Sequence, residues 1–202
     1  MKRKNIGLIS AITAVVLLVA VIAGFVIAKY VQKNEFKGTA NITAELGTIQ
    51  LLESKAIKNL NGSYSLDTDT PVTTNTYGIV LPGYNIPKDP YVVITDKSTI
   101  AAYVYVEVVD NGLAGANITY NLTDEWTKLS VTGIHDGVIY CYNNTVNSNV
   151  PKIQILKNNE LVVSDELDKN AKDLKLDFYA YMAETAAGAD AKAAYQNTFS
   201  TP

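Results

Sequence analysis

The sequence predicts an all-β body, an antiparallel sandwich or jelly roll with a short C-terminal helix, preceded by an apolar N-terminal signal or transmembrane helix. Three observations carry that expectation. Two long stretches alternate with period two, about ten short extended segments are separated by Gly, Pro and Asn turns, and no long helical period follows the apolar N-terminal segment. The clearest alternation lies at Ala101 to Val109, where Ala102, Val104, Val106 and Val108 define one face and Tyr103, Tyr105, Glu107 and Val109 the other. β-Branched and aromatic residues in such an order suit a half-buried pleated strand. The second alternation, Leu174 to Ala183, sets Leu174, Leu176, Phe178, Ala180 and Met182 against Lys175, Asp177, Tyr179 and Tyr181, and is the natural partner of the Val face.

The N-terminal end differs in kind from the rest of the chain. Lys2, Arg3 and Lys4 precede the uncharged run Asn5 to Ala28. At ~1.5 Å per residue that run would make a helix of about 36 Å, enough to cross a hydrocarbon core of ~30 Å. It is a signal peptide cleaved between Ala28 and Lys29 or, with its long apolar run, an uncleaved membrane anchor through residues 5–28. In both cases the basic start stays on the cytoplasmic side and the remainder is exported. The expected divisions are 1–28 for this segment, 29–52 for an N-terminal arm, and 53–202 for the sandwich. Loss of Lys2, Arg3 and Lys4 takes the net charge from −3 to −6, and no cluster of Lys and Arg suits nucleic acid. Cys141 is the one cysteine, so no internal disulfide is available, and in Val138 to Tyr142 it reads as a small buried hydrophobe.

Between these landmarks, Ala40 to Glu45 and Thr48 to Glu53 read as strands around Gly47. Asn59 to Thr76, rich in Asn, Ser, Thr, Asp and Gly and broken by Pro71, reads as an irregular connection with one short strand at Tyr64 to Leu66. Tyr77 to Leu81 reads as a strand closed by Pro82-Gly83. Pro87 and Pro90 confine pairing to Tyr91 onward, because proline has no amide to donate. Asn117 to Leu122 reads as a further strand, followed by Trp126 as a core or core-edge side chain. Asp136-Gly137 marks a hairpin between Leu129 to Ile134 and Val138 to Asn143. A second hairpin is expected around Asn158-Asn159, joining Lys152 to Leu156 with Leu161 to Ser164. Asp165 to Asp173 has the charge of a helical turn, and Asp190 to Phe199 places Ala191, Ala194 and Tyr195 at helical spacing.

The succession Pro87-Lys88-Asp89-Pro90, short strand, polar turn and Tyr-Val strand resembles the TasA and camelysin family of Gram-positive secreted proteins, whose export uses a dedicated signal peptidase. Trp126, Leu129, Gly137, Tyr140 and Tyr142 follow in the family's order. The resemblance implies an exported structural protein that assembles with itself into fibres of the cell surface or biofilm matrix. Its donor strand would be the arm, with Ile42, Ala44, Leu46, Ile49 and Leu51 as the inserted set. The other reading is a secreted or anchored binding module that holds matrix polysaccharide, cell wall or a host surface through Tyr103, Tyr105, Tyr179 and Tyr181. Aromatic packing between strands or cover by a loop is the plainer account of those tyrosines.

No catalytic residue, metal site or cofactor is expected. Camelysin has been described as a metalloprotease, but here His135 is the one histidine and no His-Glu-x-x-His occurs. His135 reads as a surface turn residue. Asp67 with Asp69 reads as solvated turn chemistry, and Glu184, Asp190 and the Asp165 to Asp173 group read as solvated charge rather than paired catalytic carboxylates.

Overall fold

The computed structural model describes residues 47–78, 80–95, 100–168 and 170–199. The expectations for residues 5–28, for the Ala28/Lys29 junction and for Ile42, Ala44 and Leu46 lie outside them. The described chain is all-β and sandwich-like, with one short C-terminal helix. Its strands are β1 (Thr48–Lys58), β2 (Tyr64–Val72), β3 (Ile86–Pro87), β4 (Tyr91–Thr95), β5 (Ala102–Asn111), β6 (Ile118–Thr119), β7 (Trp126–Thr132), β8 (Val138–Tyr142), β9 (Val150–Gln154), β10 (Glu160–Val163) and β11 (Lys175–Glu184). The helix is α1 (Ala191–Phe199). All pairings are antiparallel, in the orders β2-β1-β4-β9, β3-β10-β6 and β11-β5-β8-β7.

The Val strand and the Leu174 to Ala183 stretch do meet, as neighbours in one sheet rather than face to face. Met182, Ala180 and Phe178 stand opposite Val104, Val106 and Val108 in the β11–β5 register, so the two apolar sets merge into one surface. Ile49 and Leu51 of β1, Val92 and Ile94 of β4, Ile153 of β9 and Leu161 and Val163 of β10 join that surface in the main core. Each such side chain, fully removed from water, contributes about 1.5–3 kcal/mol. A second apolar layer lies on the other face of the same sheet. There α1 lays Tyr195 and Phe199 over Tyr105, Ile139, Cys141 and Tyr181.

Several local expectations are corrected. β2 runs for nine residues instead of three and includes Pro71. This is possible because β2 is an edge strand, and its register with β1 jumps from Ser54↔Pro71 to Lys55↔Asp67. Asp67 holds that bulge by accepting from the Asp69 amide at 3.2 Å and the Thr70 hydroxyl at 2.8 Å, the turn role expected of the pair. The described residues of Tyr77 to Leu81 form no strand, since the Gly78 amide bonds the Tyr64 hydroxyl (2.6 Å) instead of a ladder partner. Asn158 and Asn159 adopt positive φ as their types allow, but β9 and β10 do not form a hairpin. β9 pairs with β4, and β10 with β3 and β6, and Ile153 of β9 and Leu161 and Val163 of β10 are buried in the main core in those pairings. Asn117 to Leu122 shrinks to a two-residue strand, and Asp165 to Asp173 holds turns and no helix among its described residues.

Candidate functional site

The candidate site is the first half of β1 and the groups around it. Gly47, with φ +75°, bends the chain immediately before β1. Thr48 to Leu52 then pair with Thr95 to Tyr91 of β4, whereas Glu53 to Lys58 pair with β2. Among the described residues no strand pairs with the other side of 49–52. Of the expected inserted set, Ile49 is 1% and Leu51 8% exposed, both within their own fold. On the unpaired side of this segment a cleft of about 330 Å³ separates Leu51, Leu52 and Glu53 from Leu176 to Tyr179 on the outer edge of β11.

At the point where β1 changes partner sits a buried polar cluster that the sequence reading missed. Lys88 donates to Glu53 Oε2 at 2.8 Å, and its ammonium lies 5.8 Å from the Phe178 ring centre and 5.9 Å from that of Tyr77. Asp89 Oδ1 accepts from the Ser54 amide at 2.8 Å and Asp89 Oδ2 from the Ser54 hydroxyl at 2.7 Å. Asn75 completes the bracket: its Nδ2 donates to the Ser54 carbonyl and its Oδ1 accepts from the Ala56 amide, both at 2.7 Å. Lys152 approaches Asp89 at 3.8 Å. Burial, then the carboxylates of Glu53 and Asp89, push the Tyr77 hydroxyl well above its ordinary value, so it stays a neutral donor to the Pro87 carbonyl. The signal for this cluster was legible. A Lys-Asp pair between two prolines in an otherwise apolar strand region needs partners when it is buried.

The tyrosines divide. Tyr105 and Tyr181 are completely buried beneath α1, which corrects their assignment to an outward binding surface. The cause is the apolar side of α1, which needs cover and finds it on these rings; Tyr105 also donates to the Ala191 carbonyl at 2.8 Å. Tyr103 and Tyr179 remain partly exposed. Tyr179 stacks on His135, 3.7 Å between ring centres and 7° between planes.

His135 is likewise more than a surface turn residue. The Gly133 to Gly137 turn folds onto β5 around the fully buried carboxylate of Glu107. Glu107 accepts from the amides of His135 (2.8 Å), Gly137 (2.9 Å) and Ile134 (3.2 Å) and from the Tyr181 hydroxyl (2.7 Å). His135 Nδ1 lies 3.1 Å from Glu107 Oε2. Burial opposes ionisation of Glu107, but the bonds from Tyr181, Gly137 and His135 outweigh it and hold its carboxyl below the usual range. The two glycines follow from this arrangement. A Cβ at Gly133 would collide with Glu107, and one at Gly137 would lie 2.6 Å from Glu107 Cγ and 2.7 Å from the Val108 carbonyl oxygen.

The remaining candidates have structural places. Cys141 is buried and free, with its thiol pushed up to about 12 by burial. Trp126 sits at the core edge and donates from Nε1 to the Gln154 carbonyl at 2.8 Å. Glu184 is buried rather than solvated, while Asp190 caps α1 through the Ala193 amide at 2.7 Å. Among the described residues no group of three or more His, Cys, Asp or Glu could hold a metal ion. No family model, curated protein or solved structure matches this chain.

Proposed function

We propose that this chain is an exported structural protein that assembles with itself into fibres of a cell surface or biofilm matrix, each copy passing an N-terminal strand to its neighbour. In this reading residues 5–28 direct export or anchor the chain in the membrane, and the sandwich-like body is a jelly roll outside the cell. Matrix polysaccharide or cell wall would lie alongside the fibre. One observation carries the proposal: among the described residues, Ile49 to Leu52 pair with β4 and with no other strand. Withdrawing Thr48 to Leu52 would bare the edge of Tyr91 to Thr95 and uncover Val92 and Ile94. The same five residues of a second copy would restore every lost ladder bond and refill the places of Ile49 and Leu51. Exchange of an identical element between copies is a low-cost route to assembly.

The test is negative-stain microscopy and size exclusion over a concentration series, comparing the chain that begins at Lys29 with one that begins after Leu52. The longer chain is expected to form filaments and the shorter to remain folded and unpolymerised. Normal fibres from the shorter chain, or a monomer from the longer chain at every concentration, would overturn the proposal. The second outcome would direct attention to a binding module.

A further inference from the structure

We infer that β1 is divided at Leu52/Glu53 into an exchangeable half and an anchored half, and that Lys88, Asp89 and Asn75 form the clamp that keeps the anchored half in its own subunit. This rests on the strand-exchange reading and adds where exchange stops and what stops it.

The two halves are held by different chemistry. Among the described residues, Ile49 to Leu52 are held by the β4 ladder and by the burial of Ile49 and Leu51. Opening them loses interactions that another copy of the same segment can supply in turn. From Glu53 onward the strand is tied by side chains of the 75–89 region. Both backbone polar groups of Ser54 are engaged by side chains, its amide by Asp89 and its carbonyl by Asn75. Glu53 and Lys88 are a buried pair, 6% and 10% exposed in their side chains. Peeling β1 past Leu52 would leave the Lys88 ammonium and the Asp89 carboxylate buried without these partners until a replacement arrived. Breaking a buried pair by removing one partner is far more costly than opening a ladder of apolar residues.

The far end of β1 adds to the anchor. Asn59 to Ser63 close a tight turn, with the Asn59 amide donating to the Ser63 carbonyl at 2.8 Å and the Gly62 amide to the Asn59 carbonyl at 3.0 Å. Moving Glu53 to Lys58 would therefore carry β2 with it. The clamp makes Glu53 a fixed point, so the segment that can reach a neighbour ends at Leu52.

Two disulfide locks on one strand test the division, each placed in the exported protein with Cys141→Ala so that no other thiol interferes. Gln50→Cys with Val93→Cys joins directly opposed positions of β1 and β4, and Ile57→Cys with Ser65→Cys does the same for β1 and β2. Opposed antiparallel positions have the Cα spacing that a disulfide needs. The oxidised 50–93 lock is expected to stay monomeric and to assemble on reduction. The oxidised 57–65 lock is expected to assemble to within about twofold of the unlocked chain. Loss of assembly in both locks would overturn the division while leaving strand exchange standing. Assembly of the oxidised 50–93 lock, or no assembly of the unlocked chain, would remove the exchange reading and the division with it. Amide hydrogen exchange of the unlocked monomer gives a second check that needs no substitution. Residues 49–52 are expected to exchange at least about tenfold faster than 54–58. Equal rates in the two halves would overturn the clamp.

Discussion

Replacing Glu107 by Gln should destabilise the protein more than any conservative change on its surface, and the size of the effect follows from the hydrogen bonds. The carboxylate accepts from three backbone amides and the Tyr181 hydroxyl, with His135 Nδ1 beside it. An amide in its place keeps one acceptor oxygen and turns an NH2 toward groups that are themselves donors. At least two donors then lose their partner, at about 1–3 kcal/mol each, for a total of about 4 kcal/mol. In a domain of this size that lowers Tm by about 8–16 °C. The pH dependence sharpens the test. The folded carboxyl titrates below its ordinary value, so its contribution is fully present above about pH 4.5 and is lost as pH falls through the lower folded value. Thermal unfolding followed by circular dichroism at pH 7 and at pH 3 should show a gap between wild type and Glu107→Gln that is wide at pH 7 and narrows in acid. A gap below about 2 °C at pH 7, or one that is the same at both pH values, would refute the assignment of Glu107 as an ionised hub.

Three further outcomes are expected. Gly137→Ala should cost about 1–3 kcal/mol in chemical denaturation, because the new methyl meets both the Glu107 side chain and the Val108 carbonyl oxygen. The Cys141 thiol, buried and pushed up to about 12, should react with a thiol reagent at pH 8 more than about a hundredfold more slowly in the native protein than in denaturant, as followed by absorbance. Tyr105→Phe removes the bond to the Ala191 carbonyl and should cost about 1 kcal/mol, with α1 becoming easier for a protease to cut as judged by mass spectrometry of limited digests.

Much of the architecture was legible in the order of amino acids alone. The strict alternation of Ala102 to Val108 and of Leu176 to Met182 identified two strands and their faces, since side chains on a pleat can only alternate. Asp136-Gly137 placed the β7–β8 hairpin, and Asp136 does take a positive φ of 61°. Ala191, Ala194 and Tyr195 placed the terminal helix. Expectations failed where the pattern was read without its neighbours. Pro71 suggested a broken connection because a central strand would not admit it, but an edge strand does. Asn158-Asn159 suggested a hairpin because Asn tolerates positive φ, but β9 pairs with β4 and β10 with β3 and β6, segments far from them in the chain.

The sequence by itself determined which residues could not be left in water and which backbone positions had to turn. It therefore determined an all-β body, the sides of its longest strands and the order of its turns. Tertiary structure alone decided what each outward side chain would meet. Tyr105 and Tyr181 occupy the polar phase of their strands, yet α1 returns over them from more than eighty residues downstream of Tyr105 and makes them a second core. Glu107 in the same phase becomes a buried anion because the 133–137 turn closes on it. Lys88 and Asp89 gain their meaning from Glu53 and Ser54, thirty-five positions away. Periodicity reports a face but not its cover, because the cover comes from contacts between segments far apart in the chain.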